Sequence, residues 1–202
     1  MKGVKLSEKD EVLEIFKKAG ALLSGHFLLS SGLHSPTYFE KFAVLKNPQH
    51  LAELCFRMAE HFKKEKTAVP SGIETVIGPT TGGMLIAYEV AKNLGTKFLF
   101  AETEDGKRLL KRGFEIRPDE AVLIVDDILT TGKSVQEVVE LVEQFDATIV
   151  GIGVFLDRSG GKVKFDYPLF ALATTQAETY PAESCPLCEK GEKLVKPGSR
   201  NI

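Results

Sequence analysis

At 202 residues, with 43% hydrophobic and 27% charged residues, the chain has the makeup of an ordinary globular protein with one substantial core. A formal net charge of -2 gives no reason to expect a nucleic-acid partner, and no apolar run reaches bilayer length. The N-terminus, Met1-Lys2-Gly3-Val4-Lys5-Leu6-Ser7, is basic but lacks the apolar stretch and cleavage site of a signal peptide, so the expected location is the cytoplasm, without membrane contact.

A first helix is expected after Ser7, with Asp10 completing a capping box and Val12, Leu13, Phe16 and Ala19 on one face. Residues 26–42 read as short strands broken at Ser30-Ser31-Gly32 and Ser35-Pro36, a small hairpin-like element. Asn47-Pro48 marks the next helix, which runs to about Lys64 with proline in its first turn. Cys55 shares its apolar face with Leu51, Leu54, Met58 and Phe62 and is read as core. The loop Val69-Pro70-Ser71-Gly72 separates this region from a repeating strand-helix pattern.

In that pattern, strands are expected at residues 75–78, 98–101, 122–125 and 148–155, with an edge strand at 169–173. Helices are expected at 84–94, closed by Gly95, and after Ser134, where Val135, Val138, Val139 and Val142 recur at helical spacing. Such alternation implies a parallel sheet with helices on both faces. One domain over residues 1–202 is expected, its core at about 65–173 and a smaller cap built from 1–45 and 174–202.

The most informative stretch is Val122-Leu123-Ile124-Val125-Asp126-Asp127-Ile128-Leu129-Thr130-Thr131-Gly132-Lys133-Ser134. Four apolar residues without alternation suit a strand buried on both faces, and the hydroxyl-rich loop after it sits on a helix N-terminus. Unpaired backbone N–H groups, the helix dipole and the hydroxyls of Thr130, Thr131 and Ser134 together suit a phosphate dianion. Asp126 and Asp127 are placed to accept hydrogen bonds from vicinal sugar hydroxyls. Gly132-Lys133-Ser134 has the ending of a nucleotide-triphosphatase phosphate loop, but that motif needs glycine where Asp127 stands, and a carboxylate there repels a polyphosphate.

In an open parallel sheet, ligands bind beyond the carboxyl ends of the strands, and each polar loop falls at such an end. Gly78-Pro79-Thr80-Thr81-Gly82-Gly83 therefore joins the Thr130 loop as a second candidate phosphate site. Residues 102–117 form a long charged loop carrying Lys107, Arg108, Lys111 and Arg112 ahead of Gly113-Phe114, read as a lid whose cations suit an anionic ligand. Three cysteines fit a reducing compartment. Cys185-Pro186-Leu187-Cys188 is half of a zinc site with no second pair, and His26, His34, His50 and His61 lie far off in sequence. A tight structural turn is favoured there over a metal shared between two chains.

The stretch at 122–134 resembles the signature of the type I phosphoribosyltransferases, which bind 5-phosphoribosyl 1-pyrophosphate. Phe27-Leu28-Leu29-Ser30-Ser31-Gly32-Leu33-His34-Ser35-Pro36-Thr37-Tyr38-Phe39 resembles the N-terminal segment of the orotate phosphoribosyltransferases, and Asp157-Arg158 resembles their aspartate-arginine pair. The tail from Cys185 to Cys188 and on through Pro197-Gly198-Ser199-Arg200 looks like that of a subset of these enzymes.

The resemblance implies a type I phosphoribosyltransferase-like α/β fold, a parallel sheet flanked by helices under a small hood from both termini. It implies transfer of ribosyl 5-phosphate to N1 of orotate, with Mg2+ carried mainly on pyrophosphate and water rather than on protein ligands. Asp126 and Asp127 would hold the ribose hydroxyls, Ile128, Leu129, Thr130, Thr131, Gly132, Lys133 and Ser134 the 5-phosphate, and Thr80, Thr81, Gly82 and Gly83 the pyrophosphate. Arg158, Thr130, Tyr38 and Phe39 would contact orotate, whose carboxylate suits a bidentate guanidinium. Family members are homodimers in which one chain's lid covers its partner's site.

The departures are specific. Many members have lysine where this chain has Ser30 and Gly82, and a histidine in the lid, which is absent here. The roles of those groups do not transfer, so a lid cation must come from Lys107, Arg108, Lys111 or Arg112, with Lys111 and Arg112 favoured. Two rivals share the donor motif: a purine phosphoribosyltransferase, which needs no carboxylate grip, and a donor-sensing regulator that binds nucleic acid, against which the near-neutral charge counts.

Overall fold

A computed structural model describes residues 7–29, 31–65, 72–176 and 178–197. Ser30, most of the 69–72 loop, the N-terminal residues 1–6 and the tail beyond Pro197 lie outside the described residues. Helix α1 (Glu8–Lys18) starts at the expected capping box, in which Ser7 and Asp10 each accept from the other's backbone N–H. Strands β1 (Leu22–Leu28) and β2 (His34–Phe39) pair antiparallel, with a register irregularity between Ser24 and Phe27. A short helix α2 (Lys41–Leu45), unforeseen in the sequence, is capped by the Glu40 carboxylate, which accepts from Phe42 N at 3.1 Å. Helix α3 (Pro48–Lys64) opens on Asn47.

The alternating region follows as β3 (Thr75–Pro79), α4 (Gly82–Leu94), β4 (Lys97–Glu104), β5 (Lys107–Leu109), β6 (Ala121–Leu129), α5 (Lys133–Glu143), β7 (Thr148–Asp157) and β8 (Leu169–Thr174). The tail adds α6 (Pro186–Glu189) and β9 (Leu194–Val195). The strands form a six-stranded sheet ordered β5-β4-β3-β6-β7-β8 and a three-stranded sheet ordered β2-β1-β9. In the larger sheet β4, β3, β6, β7 and β8 are parallel, and β5 runs antiparallel at one edge.

Alternation along β6 explains why helices cover both faces. Leu123 and Val125 join Val12, Leu54, Met58, Ile86 and Val90 of α1, α3 and α4 in one core. Val122 and Ile124 join Val135, Val138 and Val142 of α5 in the other. Among the described residues no helix is long and apolar enough to cross a membrane.

Three expectations change. The break expected at Ser35-Pro36 is absent, and β2 runs through it from His34 to Phe39. Strand β6 does not stop at Val125: Asp126 pairs with Val154, Ile128 with Leu156 and Leu129 with Asp157, so both carboxylates are built into the parallel ladder. The charged segment 102–117 is not one irregular loop. Its first half is a hairpin in which Glu102 pairs with Leu109 and Glu104 with Lys107 across a two-residue turn. Asp105 (φ 50°) and Gly106 (φ 77°) supply the two left-handed residues that such a turn requires, and Asp-Gly is the sequence sign of it.

At the amino ends of the strands, Glu120 is 2% exposed and ties three elements together. It accepts from Lys97 Nζ at 2.7 Å, from Arg117 N and Nε at 3.1 Å each, and from the Thr75 hydroxyl. Burial by itself raises the Glu120 pKa, but hydrogen bonds from Lys97, Thr75 and Arg117 outweigh it and hold the carboxyl down at about 2. A depressed folded-state pKa contributes stability that is present above the ordinary glutamate value and lost as pH falls towards 2. Glu120→Gln is expected to cost on the order of 2–3 kcal/mol at pH 7 and to flatten the acid limb of the stability curve. Denaturant melts at pH 7 and pH 3 check both.

Candidate active site at the carboxyl ends of the strands

Parallel pairing brings the carboxyl ends of β3, β6 and β7 to one edge, where the Thr80 loop, the Asp126–Ser134 stretch and Arg158 lie together. Asp126 and Asp127 are only 7% and 3% exposed. Asp126 Oδ1 accepts from Asp127 N at 2.8 Å and Asp127 Oδ1 accepts from Ile128 N at 2.7 Å, so the strand's own backbone orients both carboxylates. Burial, and then the neighbouring Asp127 charge, push the Asp126 carboxyl up to about 7.

The balancing cation is Lys41, at the start of α2. Its Nζ lies 2.9 Å from Asp127 Oδ2 as an ion pair and donates to Oδ1 at 3.3 Å. Burial opposes the Lys41 charge, but Asp127, and Asp126 behind it, outweigh this and raise its pKa. Sequence reasoning missed Lys41. It follows the Tyr38-Phe39 pair closely, and only the turn into α2 carries it onto the acids.

The loop after β6 wraps a small hollow lined by Asp126 and residues 128–135. Gly132 enters α5 at φ 80°, a conformation that glycine adopts without strain, and its carbonyl accepts from Gln136 N at 2.9 Å. Opposite, the Thr80-Thr81 peptide is cis and Thr80 N donates to Ala101 O at 3.0 Å. Gly82 and Gly83 form the first turn of α4. A Cβ built at Gly82 would collide with Asp127 Oδ2. A lysine at this position is therefore incompatible with Asp127 as placed here.

Tyr38, Phe39 and Arg158, widely separated in sequence, come together. The Arg158 guanidinium stands over the Phe39 ring at 5.0 Å, and its buried Nε has no hydrogen-bond partner among the described residues. Burial lowers the Arg158 pKa and raises that of Tyr38. Arg158 N donates to Leu129 O at 2.8 Å, while Asp157 accepts from Ser159 N at 2.7 Å and Gly161 N at 3.1 Å and so shapes the loop beside it.

The lid cations divide. Lys111 pairs with Glu104 at 2.6 Å, and Arg112 makes a two-pronged contact with Glu102 at 3.0 Å per prong, both on the hairpin's own acids. Arg108 turns inward: it pairs with Glu137 at 3.1 Å and donates to Thr80 Oγ1 at 3.4 Å. Its charge is among those that lower the Asp126 pKa. Within the chain, Arg108 is the lid cation that reaches the donor loops, while Lys111 and Arg112 remain on the hairpin.

Residues 43–181 match the phosphoribosyl transferase domain. The chain is 47% identical to the orotate phosphoribosyltransferase of Desulforamulus reducens over 194 residues, covering 96% of this chain and 98% of that one. The chain belongs to the orotate phosphoribosyltransferases. The family's enzyme from a Thermoanaerobacter species is also 47% identical, over 96% of this chain and its own full length. The crystal structure of the orotate phosphoribosyltransferase from Aeropyrum pernix superposes with a TM-score of 0.67 at 26% identity, covering 81% of this chain and 93% of that one. The chain thus has the type I phosphoribosyltransferase fold and is an enzyme of pyrimidine biosynthesis.

In this phosphoribosyltransferase the acid pair carries a cost to stability. A carboxyl with its folded pKa raised to about 7 ionises in the unfolded chain first, so stability falls as pH rises from about 4 to 7 and levels off above. Asp126→Asn removes this penalty. Its melting midpoint is expected to exceed that of the parent at pH 8, by a margin that shrinks towards pH 4, as calorimetry across that range reads directly.

Proposed function

We propose that this chain transfers the 5-phosphoribosyl group of 5-phosphoribosyl 1-pyrophosphate to N1 of orotate, forming orotidine 5'-phosphate and pyrophosphate. The observation that carries the acceptor assignment is Arg158, a half-buried guanidinium with an unpartnered Nε against Phe39 and beside Tyr38. Such a group recognises a planar carboxylate ring by a charge-assisted fork and by the aromatic wall next to it. A purine has no carboxylate for it.

In the reaction the C1'–oxygen bond breaks, pyrophosphate leaves with the electron pair, the C1'–N1 bond forms and the N1 proton is lost. Asp126 and Asp127 accept from the ribose hydroxyls, as their backbone-fixed orientation favours. Amides and hydroxyls at Ile128, Leu129, Thr130, Thr131, Gly132, Lys133 and Ser134 take the 5-phosphate, with Thr130 also reaching towards orotate. Thr80, Thr81, Gly82 and Gly83 face the pyrophosphate, with Arg108 beside them. These fixed dipoles need no reorganisation as charge develops on the leaving group.

The donor set fits a hard cation brought in on the substrate. Asp127 is already balanced by Lys41, so Mg2+ would be held through pyrophosphate oxygens and water with Asp126 close by, and it would supply charge neutralisation to the leaving group. A homodimer is supported by four large apolar side chains left exposed on the neighbouring helices α2, α3 and α4: Phe42, Phe56, Leu85 and Tyr88. In that dimer Lys111 and Arg112 reach the partner's site when the lid closes. Three free thiols accord with the reducing cytoplasm.

The test is orotate consumption with Mg2+ and the donor, beside uracil, hypoxanthine, guanine and adenine. Orotate alone is expected to turn over, and Arg158→Ala to lose roughly 100-fold in kcat/KM for orotate with donor binding intact. Purine turnover would sink the acceptor assignment. For the lid, mixing inactive Asp126→Asn chains with Lys111→Ala/Arg112→Ala chains is expected to restore about a quarter of the active sites through randomly paired hybrid dimers. No recovery on mixing rules out a lid acting in trans.

A further inference from the structure

Cys185 and Cys188 are not half of a site. The parallel pairing of His26 with Leu194 and Phe27 with Val195, together with the mutual His34–Tyr180 backbone hydrogen bonds of 2.9 Å each, lays the tail over the β1–β2 hairpin. Two histidines far away in sequence thereby face the two cysteines. His26 Nε2 lies 2.9 Å from His34 Nδ1, 3.5 Å from Cys185 Sγ and 3.8 Å from Cys188 Sγ, and Cys188 Sγ lies 3.3 Å from His34 Nδ1. All four donor atoms fall within 4.8 Å of one another. With bonds of about 2.0–2.1 Å to nitrogen and 2.3 Å to sulfur, a zinc tetrahedron has edges of about 3.3 Å between nitrogens and 3.6 Å between nitrogen and sulfur. The nitrogen–sulfur spacings of 3.3, 3.5 and 3.8 Å bracket the second value, and a small outward shift of the histidines opens the 2.9 Å nitrogen–nitrogen spacing to the first.

The surroundings prepare the ligands. Glu192 O lies 2.9 Å from His26 Nδ1, and since a carbonyl only accepts, the ring proton sits on Nδ1 and the Nε2 lone pair faces the cluster. His26, His34 and Cys185 are 3%, 5% and 1% exposed. The tail has little apolar anchorage: among the described residues of 175–197, Cys185 alone is buried, and Leu194 and Val195 are exposed. So little apolar burial does not offset the entropy of ordering some twenty residues. Metal binding does.

We propose that His26, His34, Cys185 and Cys188 form a structural zinc site that clamps the C-terminal tail onto the N-terminal hairpin. Four protein ligands close the tetrahedron and leave no position for a substrate, and two thiolates with two imidazoles select zinc over the hard cations. The clamp is separate from the Asp126–Arg158 cleft but bears on it, because β2 runs from His34 to Tyr38 and Phe39.

The test uses the full chain, purified under reducing conditions without chelator or affinity metal. Elemental analysis is expected to find about one zinc per chain, with none in the Cys185→Ser/Cys188→Ser variant. Because that variant could misfold, Co2+ is also substituted into the parent chain. Tetrahedral d–d bands and a thiolate-to-cobalt charge-transfer band are expected, and removal of zinc by a chelator lowers the melting midpoint, which returning zinc restores. A reduced parent chain that holds no zinc and gives no cobalt spectrum would overturn the proposal. So would unchanged zinc in the double variant, or a Cys185–Cys188 disulfide in freshly purified protein.

Discussion

Two adjacent carboxylates at the buried end of β6 set the terms for everything around them. Like charges this close, both nearly sealed from water, are unstable unless backbone amides orient them and a cation answers them. The Asp127 and Ile128 amides do the first and Lys41 the second. Gly82 lies so close to Asp127 that a side chain there would displace the carboxylate from its present position, and the turn into α2 carries Lys41 inward onto it. The residual penalty, read in the raised pKa of Asp126, is the kind of strain retained where a ligand relieves it. In the proposed reaction the ribose, donating two hydroxyls, is such a ligand.

The sheet separates stability from function along its length. At the amino ends of the strands, Glu120 is satisfied by Thr75, Lys97 and Arg117 and has a depressed pKa. At the carboxyl ends, Asp126 is under-compensated and has a raised one. Both are buried acids, Glu120 just before β6 and Asp126 towards the far end of it. Burial pushes both the same way; the shifts part because donors surround Glu120 while the Asp127 charge stands beside Asp126. The end with a spare donor, the Arg158 Nε, is the end where the proposed substrate site lies.

Much of this was legible in the residues. The apolar run into Asp126-Asp127 and the hydroxyl loop are contiguous, and a local motif needs no tertiary knowledge to be read. The Ser7-Asp10 cap, Pro48 in the first turn of α3 and Gly95 after α4 stand at the element ends they signal. The Asp105-Gly106 turn was equally local, yet the surrounding charge hid a hairpin inside an apparent loop. Lys41 and the inward turn of Arg108 were not legible, because an isolated cation in sequence does not disclose which acid it meets.

The sequence by itself determined the alternation of strands and helices, the donor loops and the aspartate-arginine pair, since each depends on neighbours within a few residues of one another. Tertiary structure alone decided the contacts between distant segments: Lys41 against Asp127, Arg158 over Phe39, and His26 and His34 facing Cys185 and Cys188. The physical reason is chain connectivity. Strand pairing joins β1 to β9 across most of the polypeptide, and no periodicity or spacing encodes which distant side chains that register brings within bonding distance.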